Sequence, residues 1–291
     1  MNKRPDRRFA IRAVNLLVGL ACLSLAACRL STASAEGTLS ASVSGAKSLF
    51  VQNSNGSVEI VKDPAATDLQ VSAKVRCADE SKEAAEARLK ATKLVAERDP
   101  DGRVRVQVVF PSRAPAALTV VLNEGQEGAS LVIRAANLEG IEVDTGNGAI
   151  TCGGFAGLAK LGTSNGSIRI DGHSGSVHLD TSNGSIEATR VGTPVVAKTS
   201  NGRVEVSLAD TASGDVKIDT SNGRVELQLS AAWQGTAHAD TSNGSIEASI
   251  PAAKVVHMDR GQATVTIGDG TKAKATIDTS NGRVTIRAAN K

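Results

Sequence analysis

"DTSNGSIEA" occupies residues 180–188, and the same nine letters return at 240–248. Between them stand "KTSNGRVEV" at 198–206 and "DTSNGRVEL" at 219–227. Self-similarity at a fixed period outranks any single-residue signal, because it marks a unit that is built by stacking. The pair Asn-Gly recurs at Asn147 and Gly148, Asn165 and Gly166, Asn183 and Gly184, Asn201 and Gly202, Asn222 and Gly223, Asn243 and Gly244, and Asn281 and Gly282. The asparagines are separated by 18, 18, 18, 21, 21 and 38 residues. The last interval is about two periods, and Gly261 in "MDRGQATVTI" marks where one degenerate copy is expected.

Alignment on the asparagines shows what each column requires. Three residues after Asn come Ile150, Ile168, Ile186, Val204, Val225, Ile246 and Val284, and five after it Cys152, Ile170, Ala188, Val206, Leu227, Ala248 and Ile286. Four before it stand Val143, Leu161, Leu179, Ala197, Ile218, Ala239 and Ile277, and six before it Ile141, Ala159, Val177, Val195, Val216, Ala237 and Ala275. Apolar residues alternate with polar ones in both arms, as in strands with one buried face. Each unit therefore reads as a strand, a tight "TSNG" bend, a second strand and a second turn of variable length. Asn and Gly tolerate positive φ, which sharp bends use. A two-residue Asn-Gly link also suits an antiparallel hairpin. The near-constant length of the whole unit favours a single-stranded β-solenoid of 18–21-residue coils, with equivalent strands stacked in register. Identical residues would then form ladders, one of threonine (Thr145, Thr163, Thr181, Thr199, Thr220, Thr241, Thr279) and one of asparagine. The small interior such coils enclose agrees with a chain holding four Phe, one Trp and no Tyr.

The N-terminus carries a different message. Lys3, Arg4, Arg7, Arg8 and Arg12 precede an apolar run from Ala13 to Ala27, the pattern of a secretory signal over residues 1–27. The Arg7-Arg8 pair lacks the surroundings of a twin-arginine signal. "LAAC" ending at Cys28 resembles the bacterial lipobox, which implies lipidation of Cys28, a flexible linker over 28–45 and anchorage to a membrane. Arg29 in place of an aspartate leans this anchor toward the outer membrane. Without residues 1–27, which carry a net +4, the formal charge of +3 becomes −1. The basic balance belongs to the leader, so nothing indicates nucleic-acid binding. Cys77 and Cys152 remain, either as a disulfide permitted by an oxidising compartment or as two separate buried thiols.

Residues 46–136 read as an N-terminal cap to the solenoid of 137–291. "SLFVQNSNGSVEIV" (48–61) shares the repeat's columns through Leu49, Val51, Val58 and Ile60. "DLQVSAKVRC" is a strand, "DESKEAAEARLKATKLVAER" (79–98) a helix of about five turns starting near Asp79 or Ser81, and "RVRVQVVF" and "LTVVL" two further strands. An Asn-Gly strand pair, a short helix, a "VVFP" strand and tandem "TSNG-[SR]-[IV]-E" units together resemble the putative-adhesin family of bacterial envelope proteins, a domain-of-unknown-function family. The resemblance spans residues 45–291. It implies a β-solenoid at the cell envelope, with members named adhesins by fold analogy and some linked to envelope-stress or antimicrobial-peptide responses.

Chemistry is sparse. Asp144, Asp180, Asp219, Asp240 and Asp278 recur three residues before Asn, which raises a calcium ladder. Gly162 and Lys198 interrupt that column and the glycine-rich nonapeptide of calcium β-rolls is absent, so turn-stabilising side chains are the preferred reading. Glu187, Glu205, Glu226 and Glu247 form an outward column with Arg203 and Arg224 beside it. It repeats with the scaffold instead of converging, unlike the carboxylate pair of a glycosidase. His178 and His238 share a column three coils apart, roughly 14 Å at the strand spacing, and His173 and His257 have no paired ligand. No nucleophile motif or phosphate loop is present. The expectation is a non-enzymatic envelope lipoprotein that needs no cofactor or metal, with two alternatives: an envelope-stress factor that binds antimicrobial peptides or modulates a membrane sensor, and a polysaccharide-active enzyme on the same scaffold. Arg203, Arg224, Glu205 and Glu226 are its candidate surface-binding residues, for an envelope protein, a peptide or a glycan.

Overall fold

The computed structural model describes residues 33–112, 127–251 and 253–289. The leader, Cys28 and the expected "LTVVL" strand lie outside these residues. The described chain begins with β1 (Ala33–Val43), β2 (Ser48–Asn55), β3 (Val58–Lys62), β4 (Leu69–Asp79), helix α1 (Lys82–Ala91), β5 (Lys93–Arg98), β6 (Arg103–Val109) and β7 (Gly128–Ala135). Paired strands then follow around each Asn-Gly bend. They are β8 and β9 (Gly140–Asn147, Ile150–Gly153), β10 and β11 (Leu158–Asn165, Ile168–Asp171), and β12 and β13 (Ser176–Asn183, Ile186–Val191). Next come β14 and β15 (Val195–Asn201, Val204–Leu208), β16 and β17 (Val216–Asn222, Val225–Leu229), and β18 and β19 (Gly235–Asn243, Ile246–Ser249). The chain continues through β20 (Ala253–Met258) and β21 (Gln262–Ile267) to β22 and β23 (Lys274–Asn281, Val284–Ala288).

The two arms of each unit enter different sheets, so the Asn-Gly bend is a solenoid corner and not a hairpin. The first arms lie parallel in one sheet, with Thr163 opposite Thr145 and Thr181 and Asn165 opposite Asn147. The second arms lie parallel in the other, with Ile168 between Ile150 and Ile186. Of the four apolar columns, every residue is at most 2% exposed except Ile246 and Ala248, which are half-buried. The three extra residues of the longer coils fall in the second turns, at 209–215 and 230–234.

Three expectations need correction. First, residues 33–43, expected as linker, form β1, which pairs with β4 along its whole length. The unit at 48–62 is also a true coil, because β2 stacks on β8 and β3 on β9. The cap is thus β1 together with the excursion from β4 to β7, and the first coil precedes that excursion. Second, the helix stops at Ala91. Ser81 caps its start by accepting from Ala84 N, whereas Thr92 is extended and donates its hydroxyl to Arg88 O. "KLVAER" then pairs antiparallel with β6 as the last strand of its sheet. A sheet edge that needs covering outweighs helix propensity here.

Third, no degenerate coil fills the long interval. β20 and β21 form an antiparallel hairpin against β18, and Gly261 lies in its bend. Asp259 Oδ1 accepts from the backbone N–H groups of Gly261 and Gln262 there. The final coil does not add to the end of the stack. β22 lies between β16 and β18, and β23 between β17 and β19. The last coil in sequence is therefore the last but one in space. The terminal place goes to the coil whose inward residues include Ala237, Ala239 and Ala248. Leaving Ala248 at the open end instead of Ile286 reduces apolar exposure, a gain partly offset by leaving Ile246 there instead of Val284.

Candidate functional site

The corner columns are structural, but for reasons beyond bend propensity. Arg190 is the only described non-glycine residue with positive φ, so no corner asparagine adopts that conformation. Each asparagine instead donates its amide to the next. Asn243 donates to Asn281, then Asn281 to Asn222, Asn222 to Asn201, Asn201 to Asn183, Asn183 to Asn165, Asn165 to Asn147 and Asn147 to Asn55, at 2.7–3.1 Å. Asn55 closes the series on the carbonyl of Glu127. The glycines are required by close approach: a Cβ on Gly184 would stand 1.9 Å from Gly166 O, and one on Gly223 1.8 Å from Gly202 O. The threonines face inward without bonding one another. Thr163, Thr181, Thr199 and Thr241 each donate to a corner glycine carbonyl on the adjacent coil, while the hydroxyls of Thr145, Thr220 and Thr279 have no partner.

The intercalated coil rearranges the outward columns. The aspartate column reads Asp219, Asp278, Asp240 in space, three acids on consecutive strands where the sequence separates them widely. Burial, then the charges of Asp219 and Asp240, pushes the Asp278 carboxyl above its ordinary value. His238 bonds Asp240 Oδ2 through Nε2 at 2.9 Å and Thr264 through Nδ1. Among the described residues no group of three or more His, Cys, Asp or Glu is placed to hold a metal ion. His178 and His238 stand four strands apart in space and not three, about 19 Å at the strand spacing. His173 is buried at a second turn, with Nε2 against Gly157 O and Nδ1 unpartnered. Desolvation depresses its pKa.

The four candidate surface residues come together on one face. Arg203 bridges Glu205 at 2.8 Å and Glu226 at 3.1 Å, while Arg224 reaches Glu226 at 3.6 Å. Arg169 and Glu187 continue the row at 2.6 Å. Glu247 is set apart, because Thr285 stands between it and Glu226. Beside this row Glu205, Ser207, Glu226, Gln228, Thr285 and Arg287 border a shallow hollow of about 290 Å³. The sequence columns reveal the row, but not the arrival of Thr285 and Arg287 in it, since their coil is displaced. The carboxylates serve as ion-pair partners on a flat face, so the arrangement suits recognition of polar or charged groups.

Cys77 and Cys152 are separate buried thiols. Two strands lie between theirs, about 14 Å at the strand spacing and beyond disulfide reach. Burial raises the Cys152 thiol to about 12.

No curated protein matches the chain. Among solved structures it is similar to a putative cell adhesion protein from Clostridium sporogenes, at 10% identity over 88% of this chain and 100% of that one, with a TM-score of 0.32. It is also similar to a putative adhesin from Bacteroides fragilis, at 12% identity over 88% and 97% with a TM-score of 0.36. A third likeness is to a putative adhesin from Parabacteroides merdae, at 9% identity over 88% and 96% with a TM-score of 0.30. The family profile described as Toastrack DUF4097 matches residues 47–287, from β2 through β23, and on that match the chain belongs to the Toastrack DUF4097 family.

Proposed function

We propose that this chain is a non-catalytic envelope lipoprotein, anchored through Cys28 at the outer membrane, whose two-sheet solenoid serves binding or structural display. The observation that carries this reading is the row from Arg169 to Glu226, where arginines and carboxylates alternate in ion pairs across successive coils. A row of this kind offers a regular charged surface to an envelope protein, a peptide or a glycan, and its partner is read by complementarity of charge. The adhesin naming of the similar solved structures agrees with such a role. Surface labelling and whole-cell adhesion test it together. Arg203→Glu with Arg224→Glu is expected to lower adhesion while leaving the protein folded, and Cys28→Ala to release it from the membrane fraction. Unchanged adhesion and unchanged fractionation would sink the reading.

The contiguous acids Asp219, Asp278 and Asp240 favour a second reading, capture of cationic peptides during envelope stress. Under it, neutralising these aspartates raises sensitivity to antimicrobial peptides without touching adhesion.

A further inference from the structure

The corner opposite the asparagines is closed, in most coils, by a segment that passes from one sheet to the other. The intercalated coil is entered by a different route. β23 ends at Ala288, and β22 is entered from β21 through residues 268–273. A cavity of about 570 Å³ lies beside the end of β23. The end of β17 supplies Leu229 to its wall and the following turn Trp233, the segment after β19 supplies Ile250 and Pro251, and β21 supplies Ile267. Trp233 is only 1% exposed, and its indole N–H is already satisfied by Gly214 O. The Ser230 hydroxyl is likewise committed to Ala212 O. Ser249 and Arg287 supply the remaining polar side chains of the described lining.

Among the described residues, Arg287 is the one charged residue on the rim. Its register neighbours, Gln228 and Ser249, are neutral. Arg169, Arg203 and Arg224 on the same sheet face all have carboxylate partners, but Arg287 has no ion-pair partner among the described residues. An apolar cavity of small-molecule size with one uncompensated guanidinium at its mouth selects an apolar body that ends in an anion.

We infer that this cavity binds a long-chain aliphatic carboxylate, its chain against Trp233, Ile250 and Ile267 and its head group on Arg287. The site shares Arg287 with the hollow beside the charged row but uses none of the ion pairs from Arg169 to Glu226.

Trp233 is the only tryptophan and the chain has no tyrosine, so its emission reports on this cavity alone. Dodecanoate, titrated below its micellar concentration into the mature full-length protein, is expected to change Trp233 emission saturably. Dodecanol is expected to bind roughly tenfold more weakly, the worth of one charge-assisted contact. Arg287→Gln, at an exposed position, should keep the melting temperature and bring the two ligands level. Arg287→Lys should retain part of the preference. The inference is overturned if dodecanoate gives no saturable change. It is also overturned if wild-type protein binds acid and alcohol equally, or if the preference survives Arg287→Gln.

Discussion

A side chain at the solenoid corner must satisfy its own polar groups and still leave room for the backbone of the adjacent coil one strand spacing away. Asparagine does the first by passing one hydrogen bond to each neighbour, and glycine does the second by having no Cβ. The two columns are therefore unequal under substitution. Asn183→Ala removes one donated and one accepted ladder bond, about 1–2 kcal/mol at roughly 1 kcal/mol each. Asn243→Ala, at the end of the series, removes a single bond and should cost about half as much. Gly184→Ala drives a methyl group into Gly166 O and should cost at least about 3 kcal/mol. Urea denaturation of the three variants gives the order, and equal losses would overturn it. Both columns were legible from "TSNG", but their cause was not. Bend propensity suggests positive φ, whereas the need arises from the adjacent coil, which no local window contains.

At the scale of elements, alternation placed nearly every strand of the coils and identified their buried faces. What it could not supply was the order of stacking. β18 and β22 carry nearly the same columns, so either satisfies the neighbour it meets, and what distinguishes them lies outside those columns, in the hairpin that pairs with β18 and the small Ala248 at the open end. The hairpin bend at Asp259 and Gly261 did carry a local signal, an aspartate that caps two backbone N–H groups. The helix overran for the opposite reason: "KLVAER" has helix-forming letters but a sheet edge to cover. Stacking order has an electrostatic consequence. Asp278 lies between Asp219 and Asp240, and its pKa is raised above the ordinary 3.8. The folded state then holds this proton more tightly than the unfolded state. Its favourable contribution is complete below about pH 3.8 and is lost as pH rises through the folded value. Asp278→Asn should accordingly stabilise the protein at pH 7 and low salt, with a gain that shrinks at low pH and in high salt. Thermal melts across pH measure this, and a destabilised variant at pH 7 would contradict it.

For the whole molecule, the displaced final coil determines how load is carried. In a solenoid whose chain order matches its spatial order, tension on the last strand peels one rung from an open end, breaking bonds a few at a time. Here β22 and β23 are each held on both sides, by β16 and β18 in one sheet and by β17 and β19 in the other. Tension at Ala288 must shear four ladders together. The hairpin loop at Arg260 offers the contrasting handle, since β20 is paired on one side only. Single-molecule extension from an anchor before β1 should show a higher rupture force through Ala288 than through Arg260, and equal forces would refute the mechanical role. A protein tethered at one end of its chain and pulled at the other would thus meet the force in its interior, as a rivet does, and not at a seam.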